Sequence, residues 1–313
     1  MKVIVIFSLP RSGSTLLQRI LATSPRVATA PETWLLLPFL GARAEGVVYA
    51  TYSSKHSKMA IDEFVKNYVG EATYMNSLRI FFMSTYSAAS KGKEYFVEKT
   101  PRNLLFARDI IELFGSDAKP IFLTRNPVAI AASMIATWGK GVWNIDSYEQ
   151  DFFECLGAII KEYNPDLHLL IKYEDLTAEP SASQRMLENY LGLNEGELDS
   201  ASIKPIVGRM GDPTGQFKYD KVMDNADEWI LGINTYTKKI FYKRLVRKIG
   251  RDAFDRLNYD YEKTYSSIVV AGRYSVAAEI KDLLAVFKGF INKRFQLRML
   301  RLLGKRKVRS ILS

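Results

Sequence analysis

Apolar positions in this chain fall into short unbroken runs separated by longer amphipathic stretches. Val3 to Phe7 is an apolar, β-branched run of the kind a buried parallel strand presents. Pro10 breaks it, the small polar loop Arg11, Ser12, Gly13, Ser14 and Thr15 follows, and Leu16, Leu17, Ile20 and Leu21 then recur at helical spacing. Similar runs return near 95–98, 119–124 and 168–173, each followed by a helical pattern. Strands alternating with helices predict an α/β fold with a doubly wound parallel sheet. Between the first two runs, residues 57–91 read as a helical insertion carrying Tyr68, Tyr74, Phe81, Phe82 and Tyr86. It is expected to cover a site at the carboxyl edge of the sheet, where ligands of such folds bind.

The loop at 11–15 carries the first chemistry. A strand-to-helix turn points backbone N–H groups and hydroxyls at one spot, on the positive end of a helix, and so favours an anion. Arg11 adds a planar fork of donors suited to phosphate or sulfate oxygens. The loop is not a Walker A motif: it has one glycine, no lysine, and its arginine precedes the glycine. It also lacks the second and third glycines of a dinucleotide fingerprint. Simple helix capping by Ser and Thr remains the plainer reading of the loop alone.

Further constellations share its geometry. The run 119–124 ends in Arg125, Asn126 and Pro127; Pro127 suits a first helical turn, and Ser133 follows about two turns in. Arg125 and Ser133 can converge on one phosphate at the sheet's carboxyl edge. Tyr95 to Glu98 delivers Lys99 and Thr100 to the same edge, and the run from Leu169 ends in Tyr173, Glu174 and Asp175.

With these residues laid out, the chain resembles the sulfotransferases that use 3′-phosphoadenylyl sulfate (PAPS), closest in motif style to the carbohydrate and protein-tyrosine branch. Residues 10–15 resemble that family's 5′-phosphosulfate loop, and 122–136 its 3′-phosphate motif, with Arg125 and Ser133 in matching places. The segments 171–176, 208–213 and 251–260 also resemble family elements, although Asn258 stands where a glycine is usual. The resemblance covers about residues 1–261 and implies a P-loop-like sulfotransferase fold. It implies that Arg11, Ser12, Gly13, Ser14 and Thr15 hold the 5′-phosphosulfate, and Arg125 and Ser133 the 3′-phosphate. Arg209, in a glycine-bearing loop, would reach the 3′-phosphate or adenine, unless that loop is plain surface.

Lys99, with Arg11, would stabilise the leaving phosphate, and Glu32 would serve as the base. Small-molecule members of the family use a histidine, but His56 and His168 lie in no matching context. Glu32, behind Pro31, can also be read as complementing a helix start, and Lys99 as a solvated lysine at a strand end. No metal is required. The acceptor would be a hydroxyl compound (an amine less readily), with carbohydrate favoured. The rivals are a P-loop nucleotide kinase and a non-catalytic nucleotide-binding scaffold.

Charge and composition refine this picture. Of the 44 Lys and Arg residues, nine lie between 288 and 309 in a tail with no acid, leaving 35 basic against 34 acidic residues elsewhere, for a net charge of +10. The extension 262–313 reads as helical and basic. Two readings stand: contact with an anionic membrane surface or polyanion, or packing on its own domain with a solvated basic face. No recognition module for specific nucleic acid accompanies the charge. The single cysteine, Cys155, excludes an intrachain disulfide. The first apolar run is too short for a signal peptide, and none is long enough to span a membrane, so residence in the cytoplasm is expected, peripheral to a membrane if the tail binds lipid.

Overall fold

A computed structural model describes residues 1–43, 54–138, 149–203, 205–206, 222, 227–272 and 274–287. In chain order the elements begin with β1 (Lys2–Ser8), α1 (Ser14–Leu21), β2 (Val27–Thr29), α2 (Leu36–Gly41), α3 (Ser54–Phe64) and α4 (Glu71–Ser90). They continue with β3 (Tyr95–Glu98), α5 (Ala107–Phe114), β4 (Ala118–Thr124), α6 (Pro127–Trp138), α7 (Glu149–Glu162) and β5 (Leu169–Lys172). Helices α8 (Tyr173–Ala178), α9 (Pro180–Leu191), α10 (Glu228–Leu231), α11 (Tyr236–Ile249), α12 (Arg251–Arg256) and α13 (Tyr261–Val270) follow, and residues 276–287 are again helical. The chain forms two compact units, Met1–Arg125 with Asp151–Ala226, and Asn126–Gln150 with Asp227–Ser313.

The first unit is built on a five-stranded parallel sheet in the order β2-β3-β1-β4-β5. Its central strand is apolar on both faces because helices cover both: Val3 to Phe7 have no exposed surface. On one face Ile4, Ile6, Ile121, Leu123 and Ile171 pack with Leu17, Ile20 and Leu21 of α1 and Leu187 and Leu191 of α9. Aromatic residues fill the other face. Phe7 meets Phe122 at 5.1 Å, and Tyr86 of α4 stacks on Phe96 at 4.8 Å. Phe122 also stacks on His168 at 5.0 Å.

The sequence reading bounded four strands, and each is present with its ends within one residue; it also put a short strand, without bounds, between the first helix and Glu32. The fifth, β2, is only three residues long and gave no periodic signal. His168 and Tyr173 fall just outside β5; Tyr173 opens α8 instead. In the predicted insertion lie α3 and α4, joined by a π-turn at Val65–Val69. Arg43 ties these helices to each other, donating to Asp62 at 2.9 Å and gripping both carboxylate oxygens of Glu71 at 2.6 and 3.0 Å. Cys155 is buried in α7.

In the second unit the buried residues Val128 to Ala131 and Met134 come from α6, and Tyr242, Leu245 and Val246 from α11. The Asn126 carboxamide oxygen accepts from the Val128 N–H at 3.0 Å, starting α6 with Pro127 in its first turn, while its Nδ2 donates to Thr264 at 3.0 Å. Asn258 takes φ 61°, the left-handed conformation that asparagine tolerates best after glycine. No helix among the described residues is long and apolar enough to cross a membrane.

His168 gives this fold a pH dependence. Burial lowers its pKa below the ordinary imidazole value, partly offset by Glu162, and its neutral Nδ1 accepts from the Asn164 N–H at 3.1 Å. A histidine kept neutral in the folded state adds stability above its unfolded pKa and loses it as pH falls through the lower folded value. Denaturant midpoints are therefore expected to fall as pH drops below about 6.5. His168→Phe should flatten that slope, and an unchanged slope would place the titration elsewhere.

Candidate active site

At the carboxyl edge of the sheet, strand β1 ends in the loop read above as an anion site. Arg11 and Gly13 both have positive φ, 69° and 92°. These angles turn the chain so that α1 starts at Ser14 with no side chain capping it, which keeps its positive end available to an anion. Gly13 is obligatory for a second reason: a Cβ there would lie 2.3 Å from the Tyr173 ring. Tyr173 thus packs directly on the loop, and its ring also carries the Arg125 guanidinium at 4.2 Å. Arg125 Nη1 donates to the Arg11 carbonyl at 3.2 Å, so both arginines are joined to one structure at the ends of β1 and β4.

Several polar atoms here are buried without a protein partner among the described residues: Ser8 Oγ, Ser12 Oγ, Thr124 Oγ1 and Arg125 Nε. Buried polar groups are nearly always hydrogen-bonded, so a cluster of this kind at one sheet edge is a candidate for a polar ligand. The donor set, hydroxyls plus guanidinium, fits phosphate or sulfate oxygens.

A buried ion pair adjoins the loop. Lys99 Nζ donates to Glu32 Oε1 at 2.8 Å and lies 3.5 Å from Thr15 Oγ1; the side chains are 2% and 13% exposed. Glu32 lies in an irregular segment four residues ahead of α2, so it does not serve as a helix start. Its other oxygen accepts from Trp34 Nε1 at 3.2 Å, and Trp34 itself holds φ 54°, a costly backbone state for an aromatic residue. Gln18 of α1 steadies the approach, donating to Thr29 and to the Ala30 carbonyl, both at 2.7 Å.

Behind the pair stands a residue to which sequence reasoning gave no role. Glu98 is fully buried and accepts from Thr33 (2.7 Å), Tyr86 (3.1 Å), Thr100 (2.8 Å) and Asn103 (3.1 Å). Thr33 in turn accepts from the Leu35 N–H, and Thr100 from the Trp34 N–H. The neighbours of both Glu32 and Lys99 are therefore pinned to one carboxylate. Burial raises the Glu98 pKa, opposed by the hydrogen bonds from Thr33, Thr100, Tyr86 and Asn103. The available signal was an acid closing the otherwise apolar run from Tyr95 to Val97.

Of the residues singled out from sequence, Arg11 to Thr15, Glu32, Lys99 and Arg125 belong to the first unit at this edge. Ser133 sits half-buried on α6 in the second unit. Arg209 lies outside the described residues, as does the tail from 288 onward. His56 is exposed on α3, and His168 is held against Phe122.

A parallel sheet in this strand order, with a polar glycine loop after its central strand, Arg125 after the strand beside it and the Lys99–Glu32 pair next to the loop, defines a parallel α/β protein of P-loop-like build. The particular family is then plain: the chain belongs to the sulfotransferase family, whose profile matches residues 3–197. The nodulation protein NoeE of Sinorhizobium fredii (strain NBRC 101917 / NGR234) is 35% identical over 138 residues, which are 43% of this chain and 31% of that protein. The matched region thus spans about a third of that relative's length.

The fold is shared with the sulfotransferase domain of the Synechococcus PCC 7002 olefin synthase (TM-score 0.51, 23% identity, 72% of this chain and 86% of that one). It is shared equally with the sulfotransferase domain from the curacin biosynthetic pathway (TM-score 0.52, 19% identity, 83% and 98%).

Replacing Glu98 tests the pinning. Glu98→Gln puts an amide donor opposite hydroxyl and amide donors at a fully buried position. The expected cost is roughly 1–3 kcal/mol of unfolding free energy in chemical denaturation. A change within error would show that the four donors find other partners.

Proposed function

We propose that the protein transfers a sulfuryl group from PAPS to a hydroxyl acceptor. The observation that carries this reading is the buried Lys99–Glu32 pair, 2.8 Å apart and next to Thr15 of the anion loop. Sulfuryl transfer, like phosphoryl transfer, demands positioning, a cation where the leaving oxygen gains charge, and a base for the incoming hydroxyl. In the proposed step the acceptor oxygen bonds to sulfur while the bond from sulfur to the phosphate oxygen breaks. The electron pair stays on the phosphate, offset by Lys99 and Arg11, and the hydroxyl proton passes to Glu32. Arg11 and the N–H groups of Ser12 to Thr15 would grip the 5′-phosphosulfate. Arg125, Ser133 and Arg209 would serve the 3′-phosphate. An ammonium has three donors, so contacts to Glu32 and Thr15 leave Lys99 one for the donor.

The acceptor is proposed to be a carbohydrate or another large hydroxyl compound. A carboxylate, rather than either histidine, adjoins the loop, and the insertion bears an exposed stacked pair, Phe64 and Tyr68, at 5.9 Å. Aromatic faces of this kind offer a platform for an extended acceptor.

Calorimetric titration with adenosine 3′,5′-bisphosphate, against ATP with Mg²⁺, tests the donor. Wild type should bind the bisphosphate, and Arg125→Ala should lose ~2–5 kcal/mol of that affinity. Preference for ATP, or equal affinity in the variant, would overturn the donor assignment. For the base, Glu32→Gln should lower turnover with a hydroxyl acceptor by about 10²–10⁴ and leave bisphosphate affinity nearly intact. A wild-type rate would move the base to another residue.

A further inference from the structure

Residues 276–287 of the second unit form a helix whose polarity is inverted relative to an ordinary surface helix. Its acids face inward. Glu279 accepts from the Tyr236 N–H at 2.6 Å, the Thr237 N–H at 3.1 Å and the Thr237 hydroxyl; Asp282 accepts from the Thr235 hydroxyl at 2.7 Å and lies 3.6 Å from Lys238 Nζ. Both are buried; Glu279 satisfies the first two N–H groups of α11, Asp282 holds the Thr235 hydroxyl that in turn accepts from the Lys238 N–H, and both negative charges lie at the helix's positive end. Gly272 sets this docking, because a Cβ there would lie 1.9 Å from the Ile233 carbonyl oxygen, and Ser275 N–H then bonds the Asn234 carbonyl at 3.2 Å.

The opposite face is apolar and open. Val276, Ile280, Leu283, Leu284 and Phe287 follow the i, i+4, i+7, i+8, i+11 spacing of one helical stripe, and each is more than half exposed. An apolar stripe left outward while the acids are spent on the protein is costly in water unless something covers it. The sequence says what suits it: the chain continues directly into 288–309, with nine Lys and Arg residues and no acid. An apolar face beside dense positive charge fits an anionic bilayer, where side chains enter the headgroup boundary and cations meet lipid anions. A second copy fits worse, since it would set two such basic segments side by side.

We propose that the outward face of 276–287 is a docking surface for an anionic lipid bilayer, acting with the basic segment that follows it. This inference does not rest on the sulfuryl-transfer reading. The test is co-sedimentation of the full chain with phosphatidylcholine vesicles, with and without phosphatidylserine, for wild type and Ile280→Asp/Leu284→Asp. Both substituted positions are exposed, and thermal melts check that the variant folds. Wild type should pellet only with phosphatidylserine and less as salt rises, and the double variant should partition about tenfold less or weaker still. Absence of pelleting with phosphatidylserine would overturn the proposal. So would a folded variant that pellets like wild type, leaving charge alone responsible. A wild-type dimer that neither binds vesicles nor survives the double substitution would reassign the face to contact between copies.

Discussion

A carboxylate with no access to water organises the edge of this sheet. Removing Glu98 from solvent is expensive, and only a full set of donors offsets the cost. Those donors come from four segments: Thr33 from the irregular stretch after β2, Tyr86 from α4, Thr100 just beyond β3, and Asn103 from the turn that follows. The requirement couples them, because losing any one leaves a buried acceptor short. Glu32 and Lys99 are the immediate sequence neighbours of Thr33 and of Glu98 itself. The ion pair therefore inherits its position from the hub, and the strained backbone at Trp34 is sustained by the same network.

A second physical theme is the gathering of polar side chains at the ends of β1 and β4. Ser8, Ser12, Thr124 and Arg125 keep atoms unmet in surroundings that exclude water, while Tyr173 braces the loop and the guanidinium from a single ring. Rigidity matters here: Gly13 can be nothing larger, so the loop and ring fix each other's place.

The second unit uses the same chemistry for another end. Buried carboxylates again gather donors, but here Glu279 takes the first N–H groups of α11 and Asp282 the Thr235 hydroxyl, and the consequence is an apolar stripe turned outward. In the first unit, polar burial builds a site; in the second, it fixes which face of a helix the surroundings meet.

Much was legible in the sequence because it is local. The central strands announce themselves by unbroken apolar runs, since burial on both faces leaves no alternation to read. The loop from Arg11 to Thr15, and Pro127 at the head of α6, are signals of a few residues whose backbone demands are met on the spot. Strand β2 could be placed only as a short strand ahead of Glu32 and not bounded, being three residues held by pairing with β3 rather than by any pattern of its own. Nor were the roles of Glu98 and Tyr173, because an acid at a strand end and an aromatic after one read as ordinary until their partners are known.

The sequence by itself determined the parallel α/β class and the strand-to-helix loop from Arg11 to Thr15, because propensity, patterning and turn chemistry act between near neighbours. Only the tertiary structure decided that Lys99 meets Glu32, that Arg125 rests on Tyr173 above Gly13, and that the acids of 276–287 point inward. Each of those facts depends on which strands pair and which helix ends adjoin. Pairing brings together residues dozens of positions apart, and no local pattern encodes it.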